Sequence, residues 1–182
     1  MPLGPRNRLA AVIVAAISDA GARAELLALA GAAVPLAGWL ADDEMRHAGP
    51  LLARARAAAR ALEREPVVPP AADLDATLRV AAALFDAGLG FEVHEVLESR
   101  WTEASGATRE ALQGLIQIAV GYQHAANGNG RGAYALLTEG AGRLAAGALP
   151  GLDLAAFGAA VRASVTTGTL APPRFPRAAR AA

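Results

Sequence analysis

The stretch that decides the fold is residues 111–146, which read ALQGLIQIAVGYQHAANGNGRGAYALLTEGAGRLAA. Apolar residues recur at helical spacing on both sides of its centre, as in helices that bury a face against a neighbour. Asn127-Gly128-Asn129-Gly130 separates the two halves, and Asn and Gly readily adopt the left-handed conformations of a tight turn. The stretch therefore predicts a long helix hairpin.

The composition of the rest of the chain also favours helices. Of 182 residues, 49 are Ala. Ala and Leu stabilise helices, whereas the β-branched runs and alternating patterns that mark strands are scarce. We therefore predict an all-α fold: a compact multihelical array that contains the long hairpin and has extra N-terminal helices.

The sequence contains neither Lys nor Cys, which excludes several kinds of chemistry. Without Lys there is no Schiff-base catalyst, no pyridoxal-phosphate anchor and no P-loop lysine. Without Cys there is no thiol nucleophile, disulfide, thiolate zinc site or iron–sulfur cluster. The sequence assigns no reaction, and it leaves open whether the protein is an enzyme.

The charges balance overall but are unevenly distributed. Residues 1–66 carry 8 Arg and 7 acidic residues, residues 67–150 carry 5 and 9, and residues 151–182 carry 4 and 1. The acidic middle repels phosphate and no basic stripe alternates with aromatic residues, so we expect no nucleic-acid binding. No uncharged apolar run reaches the roughly 18 residues of a membrane span. We expect a cytoplasmic protein.

Residues 1–22 allow two interpretations. Arg6 and Arg8 precede an apolar run, and Ala20-Gly21-Ala22 resembles a signal-peptidase site. The same run also forms one stripe of an amphipathic core helix, which is the interpretation that we favour. The stripe consists of Leu9, Val12, Ile13, Ala16 and Ile17.

Proline marks the best internal boundary, since Glu65-Pro66-Val67-Val68-Pro69-Pro70 has the composition of a stiff, extended linker. We predict an N-terminal helical extension (residues 1–66), a helical core (residues 67–165) and an irregular, loose basic tail (residues 166–182).

Turn and cap signals place the individual helices. Those in the extension are expected at about 7–20, ending near Gly21, at about 23–33, and at about 43–64. Asp42 or Asp43 is expected to cap the third helix, and Pro50 to kink or split it. Those in the core are expected from Asp73 or Asp75 to about 87, then at about 91–102, 108–126 (capped by Thr108), 131–146 and 153–165.

The most informative polar residues lie in FEVHEVLESRW, residues 91–101. On a helical wheel, Val93, Val96 and Leu97 form an aliphatic face. The opposite face carries Phe91, His94, Glu95, Glu98 and Trp101. Aromatic side chains favour burial, and a half-buried carboxylate needs a partner. We therefore expect this face to lie against another element or in a cleft.

The predicted helix at 112–126 offers a surface that could face this one. Two amides and one imidazole form a narrow stripe along it: Gln113, Gln117 and His124. Such groups need hydrogen-bond partners when buried, and His94 and Glu98 could supply them. Gly114 and Gly121 would let the two backbones approach closely. We predict that these two helices turn their polar sides toward each other.

The pair His94 and Glu98 has more than one interpretation. Their spacing of four residues lets both point at one ion or one proton-transfer partner, and it fits a plain hydrogen bond equally well. The His-Glu-x-x-His zinc motif lacks its second His, so a metal would bind through His94 and one or two glutamates. Glu92 and Glu95, in the first helical turn, also suit the helix dipole.

Several motifs in the second half of the chain occur together in one family. They are Phe91-x-x-His94-Glu95-x-x-Glu98-x-x-Trp101, Leu112-Gln113-Gly114-Leu115-Ile116-Gln117, His124, Gly128-Asn129-x-x-Gly132-Ala133 and Leu149-Pro150-Gly151-Leu152-Asp153. Through them, residues 75–155 resemble the all-helical family catalogued as domain of unknown function 309. The resemblance implies a compact multihelical fold, no established activity and one functional patch. That patch comprises His94, Glu95, Glu98, Trp101, Gln113, Gln117 and His124.

These residues support two functional hypotheses. In the first, a His/Glu/Gln pocket binds a small polar molecule or a divalent metal ion, with His94 and Glu98 as the metal ligands. In the second, the protein is a helical protein–protein interaction module, and the cluster is only a buried structural network. A homo-oligomer is compatible with either hypothesis.

Overall fold

The computed structural model describes residues 1–67 and 73–178, and all regular elements in these ranges are helical. The predicted all-α fold is therefore confirmed. The predicted linker at 65–70 and the last four residues of the chain lie partly or wholly outside the described ranges. The α-helices are α1 (Leu3–Ala15), α2 (Ala20–Ala30), α3 (Ala48–Leu62), α4 (Leu74–Asp86), α5 (Gly90–Glu103), α6 (Gly106–Ala126), α7 (Gly130–Arg143) and α8 (Leu154–Thr166).

The chain divides into two compact units, Met1–Ala76 and Thr77–Ala182. In the first unit, α1, α2 and α3 pack against one another, and two short 3₁₀ helices (Leu36–Gly38 and Asp42–His47) precede α3. The buried side of α1 consists of Leu9, Ala10 and Ile13, so α1 is a core helix of this unit. Among the described residues, no helix is both long enough and apolar enough to cross a bilayer.

Three predictions about the helices of this unit are wrong. Gly21 does not end a helix: Asp19 accepts a hydrogen bond from the Ala22 amide at 2.6 Å and so starts α2 before Gly21. Pro50 does not kink a helix, because α3 begins at Ala48 and places Pro50 in its first turn, where a missing N–H costs nothing. Asp42 and Asp43 lie inside the second 3₁₀ helix instead of capping α3.

Arg23 joins two helix ends in the first unit. Its Nε donates to the Ala16 carbonyl at 2.7 Å, and its Nη1 donates to the carbonyls of Leu62 and Glu65 at 3.0 and 2.8 Å. Ala16 follows α1 and Leu62 ends α3, so one guanidinium satisfies carbonyls that helix ends leave without partners. Burial lowers the pKa of Arg23, and the nearby Glu65 opposes that shift.

The second unit is built on the predicted hairpin of α6 and α7. Helix α5 packs on α6, and α8 packs on α7. Gly128, with φ of 77°, makes the turn of the hairpin. A Cβ atom on Gly114 would lie 2.9 Å from the Gly140 carbonyl oxygen, so these glycines let α6 and α7 touch through their backbones.

The caps of the helices from α4 onward follow the sequence with one exception. Asp73 accepts from the Ala76 amide at 2.7 Å before α4, and Asp153 accepts from the Ala156 amide at 2.8 Å before α8. Helix α6 begins at Gly106, so Thr108, the predicted cap, lies inside it.

Residues 167–178 contain no regular element, and the expectation that this segment is loose is wrong. Phe175 is only 2% exposed, and its ring lies 5.3 Å from the Phe85 ring and 5.7 Å from the Phe157 ring. The Phe175 amide donates to Asp86 Oδ1 at 3.0 Å, and Arg177 Nη1 lies 2.8 Å from Asp86 Oδ2. The segment therefore completes the core of the second unit.

Candidate metal and ligand site on helix α5

Helix α5 places three polar side chains on its outer side. Gly88, with φ of 76°, ends the preceding helix, and α5 then buries Val93 and Leu97 completely. The helical spacing turns His94, Glu95 and Glu98 away from that apolar side. Their side chains are 31%, 38% and 48% exposed, so water or a solute can reach them.

The imidazole of His94 lies between two carboxylates. Its Nδ1 is 3.0 Å from Glu95 Oε1, and its Nε2 is 4.0 Å from Glu98 Oε2. A carboxylate only accepts hydrogen bonds, so the pairing with Glu95 places the proton of a neutral ring on Nδ1. The lone pair of Nε2 then faces Glu98. One ligating atom from each of the three residues falls within 4.8 Å of the others.

The residues next to this cluster on α5 have other roles. The centre of the Phe91 ring lies 6.3 Å from that of the His94 ring. Glu92 is 0% exposed, so it is a core residue and not simply a first-turn carboxylate facing solvent. Trp101 packs under Arg109, whose guanidinium carbon is 4.0 Å from the ring centre and whose Nη1 donates to the Trp101 carbonyl at 2.8 Å. Trp101 thus fixes the junction between α5 and α6.

The polar stripe of α6 does not face α5, and our prediction that these helices turn polar sides toward each other is wrong. A Cβ on Gly140 of α7 would lie 3.1 Å from the Gln117 Cβ, and one on Gly121 would lie 2.8 Å from the Leu137 Cγ. Gln117 therefore points along the α6–α7 seam. Helix α5 instead approaches α6 at Gly90, where a Cβ would lie 2.3 Å from the Ala119 carbonyl oxygen.

At this seam Gln117 joins an ion-pair cluster that the sequence analysis missed. Arg143 bridges two glutamates, with Nη1 at 2.8 Å from Glu110 Oε2 and Nη2 at 3.0 Å from Glu139 Oε1. Hydrogen bonds from Gln117 and then from Arg143 lower the pKa of Glu139, and the two glutamates raise the pKa of Arg143. The i,i+4 spacing of Glu139 and Arg143 was a signal for part of this cluster.

The remaining two candidates, His124 and Gln113, lie on α6. His124 Nδ1 is 3.0 Å from Asn129 Nδ2, and Asn129 Oδ1 accepts from the Gly132 amide, so this pair stabilises the hairpin turn. Gln113 is half-buried on α6. The seven predicted site residues thus occupy several places, and the structure brings together only His94, Glu95 and Glu98.

Comparisons with known proteins bear on the same region. Searches of the curated proteins and of the solved structures each found no match. All seven candidate residues lie within the one segment that a family model covers. Residues 78–136 match the model of the family described as Domain of unknown function (DUF309), which confirms the resemblance predicted from the sequence.

Proposed function

We propose that His94 and Glu98 bind a divalent transition-metal ion on the outer side of α5, with Glu95 orienting the imidazole. The observation that carries this proposal is the separation of 4.0 Å between His94 Nε2 and Glu98 Oε2. That distance is too long for a hydrogen bond. Two atoms that bind a tetrahedrally coordinated ion at about 2.0–2.2 Å lie about 3.3–3.6 Å apart, so a small rotation of the Glu98 side chain would let both atoms bind one ion.

Glu95 supports this arrangement from the other side of the ring. Metal-binding histidines commonly donate their second N–H to a carboxylate, which fixes the tautomer and makes the ligating nitrogen more basic. The Nδ1–Glu95 distance of 3.0 Å is that of such a hydrogen bond. One imidazole and one or two carboxylates form a mixed nitrogen and oxygen donor set, which favours ions such as Zn²⁺ over Mg²⁺ or Ca²⁺.

The exposure of the cluster favours a binding site over the alternative of a closed structural network. A network that only specifies helix packing would be buried, whereas the side chains of His94, Glu95 and Glu98 are 31–48% exposed. An ion held by two protein ligands keeps further positions open. Water, a small polar molecule or a second copy of the chain would fill these positions. The proposal therefore includes the polar ligand and the homo-oligomer that the sequence analysis allowed.

We also propose, as expected from the sequence, that the protein is cytoplasmic.

Calorimetric titration of the untagged full-length protein with Zn²⁺ tests the proposal. We expect one site per chain, no measurable binding by His94→Ala, and about tenfold or greater weakening by Glu98→Gln, which loses the charged ligand. Glu95→Gln still accepts the Nδ1 hydrogen bond through its amide oxygen, so its effect should be smaller. His124→Ala, on the hairpin turn, is the matched histidine control and should bind Zn²⁺ like the unmodified protein.

The pattern across variants separates this site from general surface binding. Equal loss in His124→Ala and His94→Ala would refute the proposal, and so would a Glu98→Gln variant with unchanged affinity. Sedimentation with and without Zn²⁺ then measures whether a second chain completes the coordination.

A further inference from the structure

A cavity of about 380 Å³ opens within the second unit, and its lining does not include His94, Glu95 or Glu98. Its walls come from three places: the turn between α4 and α5 at Gly88, the last two turns of α6 around Tyr122 and Gln123, and the segment after α8 at Leu170. The volume is within the range of small-molecule sites, about 300–1,000 Å³. The cavity therefore has room for a small molecule.

The chemistry of the walls restricts the ligand. Among the described residues that line the cavity there is no Asp, Glu, Arg or His, so a charged ligand would find no opposite charge. Phe85, Ala119 and Leu170 supply apolar surface. The Tyr122 hydroxyl is already paired with Ser164 Oγ at 2.8 Å. The walls thus suit an uncharged and mostly apolar molecule.

One wall residue offers an unused hydrogen-bond acceptor. Gln123 Oε1 is buried and has no hydrogen-bond partner within the described part of the chain. Its Nε2 is paired only with Asn127, at 3.3 Å. A buried acceptor without a partner costs free energy, and a donor from a ligand would remove that cost after a small rotation of the amide.

The wall formed by Leu170 is held in an uncommon conformation. Leu170 has φ of 47°, in the left-handed region that a leucine rarely adopts. Its amide donates to the Ser164 carbonyl at 3.2 Å, and Phe175 anchors the following residues in the core. Such strain persists only where the surroundings hold it, and it concentrates at ligand sites.

From these observations we infer that the cavity is a binding site for a small, uncharged, largely apolar molecule that carries one hydrogen-bond donor, which Gln123 Oε1 receives. The site is separate from the proposed metal site, so either can fail without the other.

Indole and benzofuran are matched probes for this inference, since they have nearly the same shape and only indole has an N–H donor. Amide spectra of the ¹⁵N-labelled full-length protein should shift saturably at residues 119–126 and 169–170 with both probes. One hydrogen bond corresponds to an affinity about three- to tenfold higher for indole. Gln123→Leu removes the acceptor and should abolish that preference while binding is kept.

A second pair of variants tests the location. Ala126→Phe places a ring at the exposed edge of the cavity and should weaken both probes, whereas Ala135→Phe, on an exposed position of α7 outside the cavity, should leave both unchanged. The inference is overturned by the absence of saturable shifts at these residues, by an indole preference that survives in Gln123→Leu, or by equal affinities in Ala126→Phe and Ala135→Phe.

Discussion

Replacing Phe175 by Ala should destabilise the second unit, although this residue lies in a segment without regular structure. Its ring is 2% exposed and contacts the rings of Phe85 and Phe157. Truncating a buried Phe costs about 3–5 kcal/mol in a protein core. Because the segment lies after the last helix, it can detach while the helices stay folded, which limits the loss to its own docking free energy. We expect a loss of about 2–4 kcal/mol, at or just below the core value.

Denaturant unfolding followed by tryptophan fluorescence measures this loss. The chain has two tryptophans, and a Trp39→Phe background leaves Trp101 as the reporter of the second unit. Trypsin provides a local readout, because detachment exposes the bond after Arg174. For the unfolding measurement the matched control is Arg174→Ala: this side chain is 88% exposed and 3.7 Å from Asp86, a surface pair worth about 0–1 kcal/mol. For trypsin cleavage after Arg174 the control is the unmodified protein.

Two results together would refute this account of the segment. One is a loss below about 1 kcal/mol in Phe175→Ala, less than any buried Phe truncation should cost. The other is an unchanged rate of trypsin cleavage in that variant. The ring would then contribute no more than an exposed residue does.

Three further predictions concern single side chains. Arg23→Met removes three hydrogen bonds to helix-end carbonyls and should lower the free energy of unfolding by about 2–4 kcal/mol. Hydrogen bonds to charged groups contribute about 1.5–3 kcal/mol each, but the freed carbonyls partly rehydrate. An unchanged midpoint of denaturant unfolding would contradict this prediction. Burial raises the pKa of Tyr122 above its ordinary 10.0, so its stabilising effect is complete below pH 10.0 and is lost as the pH rises through the higher folded-state pKa. Absorbance titration in a Tyr134→Phe background should show that raised midpoint, and Tyr122→Phe should remove this part of the alkaline destabilisation. Hydrogen bonds from Gln117 and Arg143 lower the pKa of Glu139 from its ordinary 4.5, so its stabilising effect is present above that pH and is lost as the pH falls through the lowered value; Gln117→Leu should move the Glu139 pKa upward in an NMR titration.

Features set by short-range chemistry could be predicted from the sequence. Asp73 and Asp153 cap their helices as expected, and Gly88 and Gly128 take the positive φ of their turns. Each depends on residues within a few positions along the chain. The error at Gly21 has the same basis, since Asp19, two positions earlier, supplies a cap that outweighs the low helix propensity of glycine in the first turn.

Features that depend on distant residues could not be predicted in the same way. Phe175 has no periodic neighbours that would mark it as buried, and its partner Phe85 is far away in sequence. On α6, a helical wheel groups Gln117 correctly with Gly114 and Gly121 but does not say which helix they face. The glycines do indicate the partner. Glycine lets two backbones approach closely, and in a hairpin the helix that packs on α6 is the next one along the chain, α7.

The backbone contact of Gly114 with Gly140 changes how mutagenesis of this protein has to be designed. At these positions alanine is the larger residue: its methyl group would fall 2.9 Å from a carbonyl oxygen and push two helices apart. Because 49 positions are already alanine, a conventional alanine scan would pass over more than a quarter of the chain. At the contact glycines of the hairpin, it would measure the effect of added bulk and not of a removed side chain. Informative scans of this fold must therefore add bulk in graded steps and measure how much each position tolerates.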